Sequence, residues 1–198
     1  MEAQTSLPTE SLNLLPPDVT ARDFRFKIVL TGDARIGKTC ILRQFSEKRV
    51  SLAYETTIGV EFRAKDIVID DQIHRLAIWD LSGAPAFFSI RSAYLRGANG
   101  VMLCYDVTNR TSFESLKTLI QAIKEMAAPS NPGIILIGNK CDLETSRVVS
   151  TKEGQEFAKK HDFLFFETSA LDSTNIELAF HSLAVKIYNQ ERKSQKEQ

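Results

Sequence analysis

Gly32-Asp33-Ala34-Arg35-Ile36-Gly37-Lys38-Thr39 is the stretch that decides the fold. It has the form G-x-x-x-x-G-K-[ST]. It stands between Phe24–Thr31, which reads as a buried strand, and a segment of helical spacing, Gly37–Glu47, in which Ile41, Leu42 and Phe45 share one side. A phosphate-binding loop requires that placement between strand and helix. The glycines let the backbone curl so that successive N–H groups converge on phosphate oxygens. Lys38 is expected to bridge the outer phosphates, and the Thr39 hydroxyl to ligate Mg²⁺. A glycine-bounded turn is the alternative, but with average compositions the pattern arises by chance in roughly one chain of this length per hundred or fewer.

Outward from the loop, strand-like and helix-like runs alternate. Val60–Ile69 and Ile73–Trp79 read as two strands meeting at Asp70-Asp71, a hairpin signal. Val101–Tyr105, Gly133–Gly138 and Phe163–Phe166 read as short buried strands. Ser112–Ala127 places Phe113, Leu116, Leu119, Ile120 and Ile123 at helical spacing. Thr151–His161 reads as a helix with Thr151 as its N-cap, and Asn175–Asn189 as a closing amphipathic helix. The alternation predicts an α/β fold of the P-loop type: a six-stranded, mostly parallel sheet with one antiparallel edge strand and helices on both faces. In such a sheet ligands bind beyond the carboxyl ends of the strands.

The loop after the fifth strand names the base. In Asn139-Lys140-Cys141-Asp142 the Asp142 carboxylate can accept from both N1–H and the exocyclic amine of guanine, a donor pair that adenine lacks. Asn139 can tie this loop to the phosphate loop, and the stem of Lys140 can lie along the ring. After the sixth strand, backbone N–H groups of Glu167-Thr168-Ser169-Ala170 can meet the guanine oxygen.

Taken together, the chain resembles a Ras-superfamily small GTPase, most similar to the Rab branch. The resemblance rests on the phosphate loop, Tyr54-Glu55-Thr56-Thr57-Ile58-Gly59-Val60-Glu61-Phe62, Ile78-Trp79-Asp80-x-x-Gly83, Tyr94-Leu95-Arg96-Gly97-Ala98, Cys104-Tyr105-Asp106-Val107-Thr108, Asn139–Asp142 and Thr168-Ser169-Ala170. It covers about residues 23 to 190. It implies GTP and GDP as ligands with Mg²⁺, held by Thr39, by Thr57 and, through water, by Asp80. It implies that Lys38, Thr57 and Gly83 act in hydrolysis, and that the Gly83 N–H contacts the γ-phosphate. It adds Ala34, Arg35, Ile36, Cys40, Tyr54, Ser169, Ala170 and Leu171 to the nucleotide contacts. Ile58, Phe62, Trp79, Phe87 and Tyr94 become expected effector contacts, although these aromatics can equally pack into the core. An exchange factor and a GTPase-activating protein are implied as partners.

The pattern breaks in places. Ala84 stands where the family has the glutamine that orients the attacking water, and Pro85 follows. Alanine neither donates to nor accepts from a water, and Pro85 pushes Ala84 out of the helical region. Slow intrinsic hydrolysis is the expectation. Val50 replaces an aromatic that packs on guanine, Leu171 a lysine that covers the base, and Ala34 and Arg35 put side chains where related chains have glycines.

Composition bounds the remaining classes. The chain has 198 residues, 43 % hydrophobic and 25 % charged, enough for one good core. Lys plus Arg equals Asp plus Glu at 25 each, so no net field draws it to nucleic acid or an anionic membrane. Cys40, Cys104 and Cys141, like His74, His161 and His181, lack metal-ligand spacing. No apolar run approaches the roughly 18 residues needed to span a bilayer. The expected organisation is a flexible arm over 1–22, a GTP-binding domain over 23–190 and a polar tail over 191–198. The tail contains no cysteine and so offers no prenylation site. A cytoplasmic monomer, recruited to membranes through partners, is the expectation. The leading functional reading is a switch that hydrolyses GTP slowly; its rival is a non-catalytic, GTP-bound interaction module. A nucleotide kinase would leave Asn139–Asp142 and Thr168–Ala170 as coincidences.

Overall fold

The structure is a computed structural model and describes residues 25–49, 57–128 and 130–196. Its centre is β1 (Phe26–Thr31), whose six residues are all buried. A strand covered on both faces has an apolar centre, here Ile28-Val29-Leu30, and its one buried charge, Lys27, donates from Nζ to the Arg96 carbonyl (2.9 Å). Around it lie β2 (Val60–Ile69), β3 (Gln72–Leu81), β4 (Gly100–Asp106), β5 (Gly133–Asn139) and β6 (Leu164–Thr168), in the order β2-β3-β1-β4-β5-β6. β2 pairs antiparallel with β3, and the other four pairings are parallel. The six-stranded sheet with one antiparallel edge is therefore as expected. Asp70 and Asp71 form the hairpin turn, both at positive φ (50° and 59°), as a two-residue turn of the I′ kind demands.

The helices are α1 (Lys38–Glu47), α2 (Arg91–Leu95), α3 (Arg110–Glu114), α4 (Leu116–Ala127), α5 (Thr151–Lys160) and α6 (Ile176–Lys196); a 3₁₀ segment, Pro85–Ile90, leads into α2. They cover two faces because side chains alternate along each strand. Ile28 and Leu30 join Ile41, Phe45, Phe180 and Leu183 under α1 and α6. Val29 joins Trp79, Leu103, Leu116 and Ile123 under α2 and α4.

Two helices differ from the sequence reading. The helix expected over Ser112–Ala127 starts earlier, capped by the Asn109 side chain accepting from the Ser112 N–H, and is interrupted at Ser115. Ser115 keeps its N–H on the Thr111 carbonyl (3.0 Å), while its hydroxyl leaves the helix to donate to Asp33 Oδ2 (2.8 Å). α6 runs on to Lys196, into the stretch read as a tail, where Arg25 pairs with Glu191 (2.7 Å) and Arg192 with Asp70 (3.3 Å). The arm over 1–22 lies outside the described residues, as do Val50 and Tyr54. No helix among the described residues is long and apolar enough to cross a membrane.

The cap of α5 is Ser150, not Thr151. Ser150 is the last extended residue (φ −73°, ψ 153°), its side chain accepts from the Glu153 N–H, and the Glu153 carboxylate accepts in return from the Ser150 N–H. Ser150→Ala is expected to lower stability by about 1 kcal/mol, read by urea unfolding at pH 7. Hydrogen bonds from Arg110 and Ser150 hold the Glu153 carboxyl at about 2, below its usual 4.5. Its contribution is thus present above pH 4.5 and lost as pH falls toward 2, and the gap between native and variant should close over that interval.

Candidate nucleotide-binding site

Parallel strands place their carboxyl ends at one edge of the sheet, and the loops after β1, β3, β5 and β6 meet there. The loop after β1 turns through Gly32 (φ 142°), Arg35 (φ 66°) and Gly37 (φ 92°). Glycine is needed twice for space as well as for φ. A Cβ on Gly32 would lie 2.3 Å from the Cys104 carbonyl oxygen, and one on Gly37 2.4 Å from Asn139 Nδ2. Lys38, at the start of α1, is buried, and its Nζ donates to the carbonyls of Gly32 (3.1 Å) and Asp33 (2.7 Å). Burial lowers its pKa, and the nearby Asp80 carboxylate opposes that shift.

Below the loop lies an oxygen cluster. Thr39 Oγ1 is 2.6 Å from Thr57 Oγ1 and donates to Asp80 Oδ2. Asp80 comes from β3, whose pairing with β1 sets it opposite Leu30, just before the phosphate loop. The carboxylate is wholly buried, and its Oδ1 has no hydrogen-bond partner among the described residues. Burial pushes its pKa up to about 6 against the pull of Lys38 and Thr39. A buried carboxylate with an unsatisfied oxygen is costly unless a cation meets it. Two hydroxyls and one carboxylate are the hard-oxygen donors Mg²⁺ takes when phosphate supplies the rest. The residues fit the ion.

The base side is built by cross-links. Asn139 is buried; its Nδ2 donates to the Ile36 carbonyl (2.8 Å) and its Oδ1 accepts from the Thr168 hydroxyl (3.1 Å). One side chain therefore joins β5, β6 and the phosphate loop. Lys140, at φ 65°, donates from Nζ to the Arg35 carbonyl (3.0 Å) and pairs with Asp106 (2.6 Å). Its side chain therefore spans from the loop after β5 to the phosphate loop. Asp142 is exposed beside it. Ser169 is buried and accepts at Oγ from the N–H groups of Leu171 (3.2 Å) and Asp172 (3.3 Å), which shapes the turn after β6. Ala170 is buried, Leu171 exposed and Cys40 half-buried.

The loop after β3 closes the phosphate end. Gly83 is pressed against the phosphate loop: a Cβ there would sit 2.2 Å from Ala34 N. The Ser82 N–H donates to the Gly59 carbonyl (2.9 Å), tying this loop to the segment that carries Thr57. Ala34 and Arg35 are exposed at the rim, and Ala84 is half-exposed. The Ala84 carbonyl accepts from the Phe87 N–H (3.1 Å), and its methyl group offers nothing to a water.

Of the expected effector residues, Ile58 is 83 % exposed, while Phe62 and Phe87 are half-buried. Trp79 is fully buried between Phe62 (4.7 Å between ring centres) and Tyr94 (5.1 Å), because β3 is an interior strand covered on both faces. Tyr94 is nearly as buried. Sequence reading gave no role to Asp106, which holds Lys140 and accepts from the Thr108 N–H (2.8 Å), nor to the side chain of Thr168. The motif Cys104-Tyr105-Asp106-Val107-Thr108 was the available signal for the first.

Comparison with known proteins gives one family and several close relatives. The Ras family model matches residues 27–189. The chain is 44 % identical over 167 residues to Ras-related protein Rab11A of Lotus japonicus, covering 84 % of this chain and 74 % of that protein. It is 44 % identical over 166 residues to Ras-related protein RABA4d of Arabidopsis thaliana, again 84 % and 74 %. It is 44 % identical over 165 residues to Ras-related protein RabQ of Dictyostelium discoideum, covering 83 % and 80 %.

Proposed function

The chain belongs to the Ras family and is a Rab-like small GTPase, a GTP-binding switch; from that premise we propose that it binds GTP and GDP with Mg²⁺ in the site described, hydrolyses GTP slowly, and presents its nucleotide state to partners through the loops after α1 and β3. The observation that carries the reading is the Thr39–Thr57–Asp80 cluster with its unsatisfied carboxylate oxygen. Thr39, Thr57 and Asp80 would hold the ion, which supplies charge neutralisation at the phosphate oxygens. Lys38 exchanges its two loop carbonyls for the outer phosphates, and the loop's N–H groups cradle them. Asn139 keeps the base-reading loop in register with the phosphate loop, and Asp142 reads the base edge. Thr57, which meets Thr39 at the ion site, and Gly83, pressed against the phosphate loop, are the residues that would respond to the γ-phosphate. Partners that read the state would meet Ile58, Phe62 and Phe87.

Linkage gives the test. If Mg²⁺ and nucleotide share this site, each raises the affinity of the other by the same factor. Chelating the ion should speed release of fluorescent GDP by about tenfold to a hundredfold, and Asp80→Ala should bring the release rate with Mg²⁺ to nearly that level. Release indifferent to chelation would remove the ion from this site.

A second reading has one observation in its favour. The Ala84 methyl cannot position water, so a chain that binds GTP as a structural ligand and recruits partners without turnover fits the same binding residues. A single-turnover assay separates the two.

A further inference from the structure

The peptide bond between Ser82 and Gly83 is gripped on its carbonyl side. Arg91, the first residue of α2, is buried, and its Nη2 donates to the Ser82 carbonyl oxygen at 3.2 Å. In a trans peptide the C=O and the N–H of one unit point in opposite directions. A donor fixed on the Ser82 oxygen therefore fixes the Gly83 N–H pointing away from Arg91. Gly83 meanwhile lies against the phosphate loop, close enough that a Cβ would reach within 2.2 Å of Ala34 N. Ser82 is held at its other backbone group too, by the Gly59 carbonyl at 2.9 Å.

The surrounding charges are consistent with this arrangement. The Asp33 carboxylate of the phosphate loop acts on the Arg91 guanidinium, and Arg91 in turn acts on Lys38, so the three belong to one electrostatic group. Asp33 is itself anchored, its Oδ2 accepting from the Ser115 hydroxyl at 2.8 Å. Arg91 thus spans from a helix whose Tyr94 and Leu95 pack in the core to the backbone of the loop that meets the phosphate end of the site.

The geometry points to Arg91 as a positioning residue for nucleotide sensing: through the Ser82 carbonyl it presets the Gly83 N–H toward the γ-phosphate and carries the displacement of that peptide into α2. This rests on the switch reading above. It separates two tasks of one loop. Ala84 removes the positioning of water, which concerns hydrolysis. Arg91 acts on recognition of the γ-phosphate, which survives without the glutamine. A reversal of the Ser82–Gly83 peptide would break the Arg91 bond, so the productive orientation is favoured before nucleotide arrives.

The test uses ¹⁵N-labelled native protein, Arg91→Met and Arg91→Lys, each loaded with GDP or GTPγS in Mg²⁺. Methionine keeps an unbranched apolar stem and removes every donor; lysine keeps the charge and a donor. In the native chain the Gly83 amide resonance should shift between GDP and GTPγS. Arg91→Met should weaken GTPγS relative to GDP by about tenfold and shrink that shift, with GDP affinity unchanged. Arg91→Lys should restore most of both. An unchanged affinity ratio and an unchanged Gly83 shift in Arg91→Met overturn the inference. Equal weakening of both nucleotides overturns it as well, since a merely structural support would act so. A native chain whose Gly83 amide ignores the γ-phosphate overturns the switch reading itself, a failure visible before any variant is made.

Discussion

Asp142→Asn is expected to move the preference of the protein from guanine to xanthine nucleotides, with guanine affinity falling on the order of 10³-fold. The physical reason is the donor pattern of the base edge. Guanine presents N1–H and an exocyclic amine, and a carboxylate accepts from both. An amide side chain keeps one acceptor and turns a donor toward the amine, which leaves two donors facing each other. Xanthine carries an oxygen in place of that amine and restores the pair. The loop can enforce this because it is fixed on three sides. Asn139 bonds the phosphate loop and Thr168, the Cys141 N–H donates to the Thr168 carbonyl (3.1 Å), and the Leu143 N–H donates to the Lys140 carbonyl (3.0 Å). A carboxylate on so constrained a turn cannot swing to follow a different base. Competition of GDP, XDP and ADP against a fluorescent guanine nucleotide measures the change. An Asp142→Asn protein that keeps its guanine preference, or a native protein that binds ATP and GTP alike, would show that the base is read elsewhere.

The parts of this site that were legible in the sequence are those whose geometry is local. The phosphate loop is eight consecutive residues whose glycines, lysine and threonine each have a fixed task between a strand and a helix. The position of Asp80 was legible one step further on, because an acid ending a buried strand must face the loops at that edge, and the β1–β3 register places it opposite Leu30. What failed to show depended on distant partners. Whether Trp79 faces a partner or the core turns on what covers β3, and the cover is supplied by Phe62 and Tyr94 from either side. The choice between Ser150 and Thr151 as cap was a contest of equals in sequence. It is settled by the Val149 N–H bonding to the Val107 carbonyl (3.0 Å), which keeps the chain extended up to Ser150. The polar end of α6 was read as a tail because its stabilising partners, Arg25 and Asp70, are remote in the chain. Arg91 carried no motif at all, and only the fold brings it to the Ser82 carbonyl.

Single-turnover γ-phosphate release should be slower by about 10²-fold or more in this chain than in a relative with glutamine at the same position. Hydrolysis needs a water in line with the γ-phosphate, and orientation of the nucleophile supplies much of such a rate. Lys38 and the Thr39–Thr57–Asp80 cluster address the charge on the phosphates, so that part of the barrier is still lowered. Nothing at position 84 addresses the water. The backbone adds a second obstacle: Pro85 begins a 3₁₀ segment, and the Phe87 N–H donates to the Ala84 carbonyl at 3.1 Å, closing a tight turn over the missing side chain. Ala84→Gln alone should therefore recover only part of the rate, because Pro85 keeps the preceding residue from the helical region. Ala84→Gln with Pro85→Glu, which frees that backbone and restores an N–H, should recover more. GTP affinity should change little in either variant, since neither touches the phosphate loop, the Thr39–Thr57–Asp80 cluster or the base loop. Faster release in the double variant than in the single, and in the single than in the native chain, is the expected order. A native rate equal to that of a glutamine-bearing relative would mean that another group holds the water. A native rate of zero that neither variant raises would favour the non-catalytic module, in which GTP serves only to hold the effector surface around Ile58 in place.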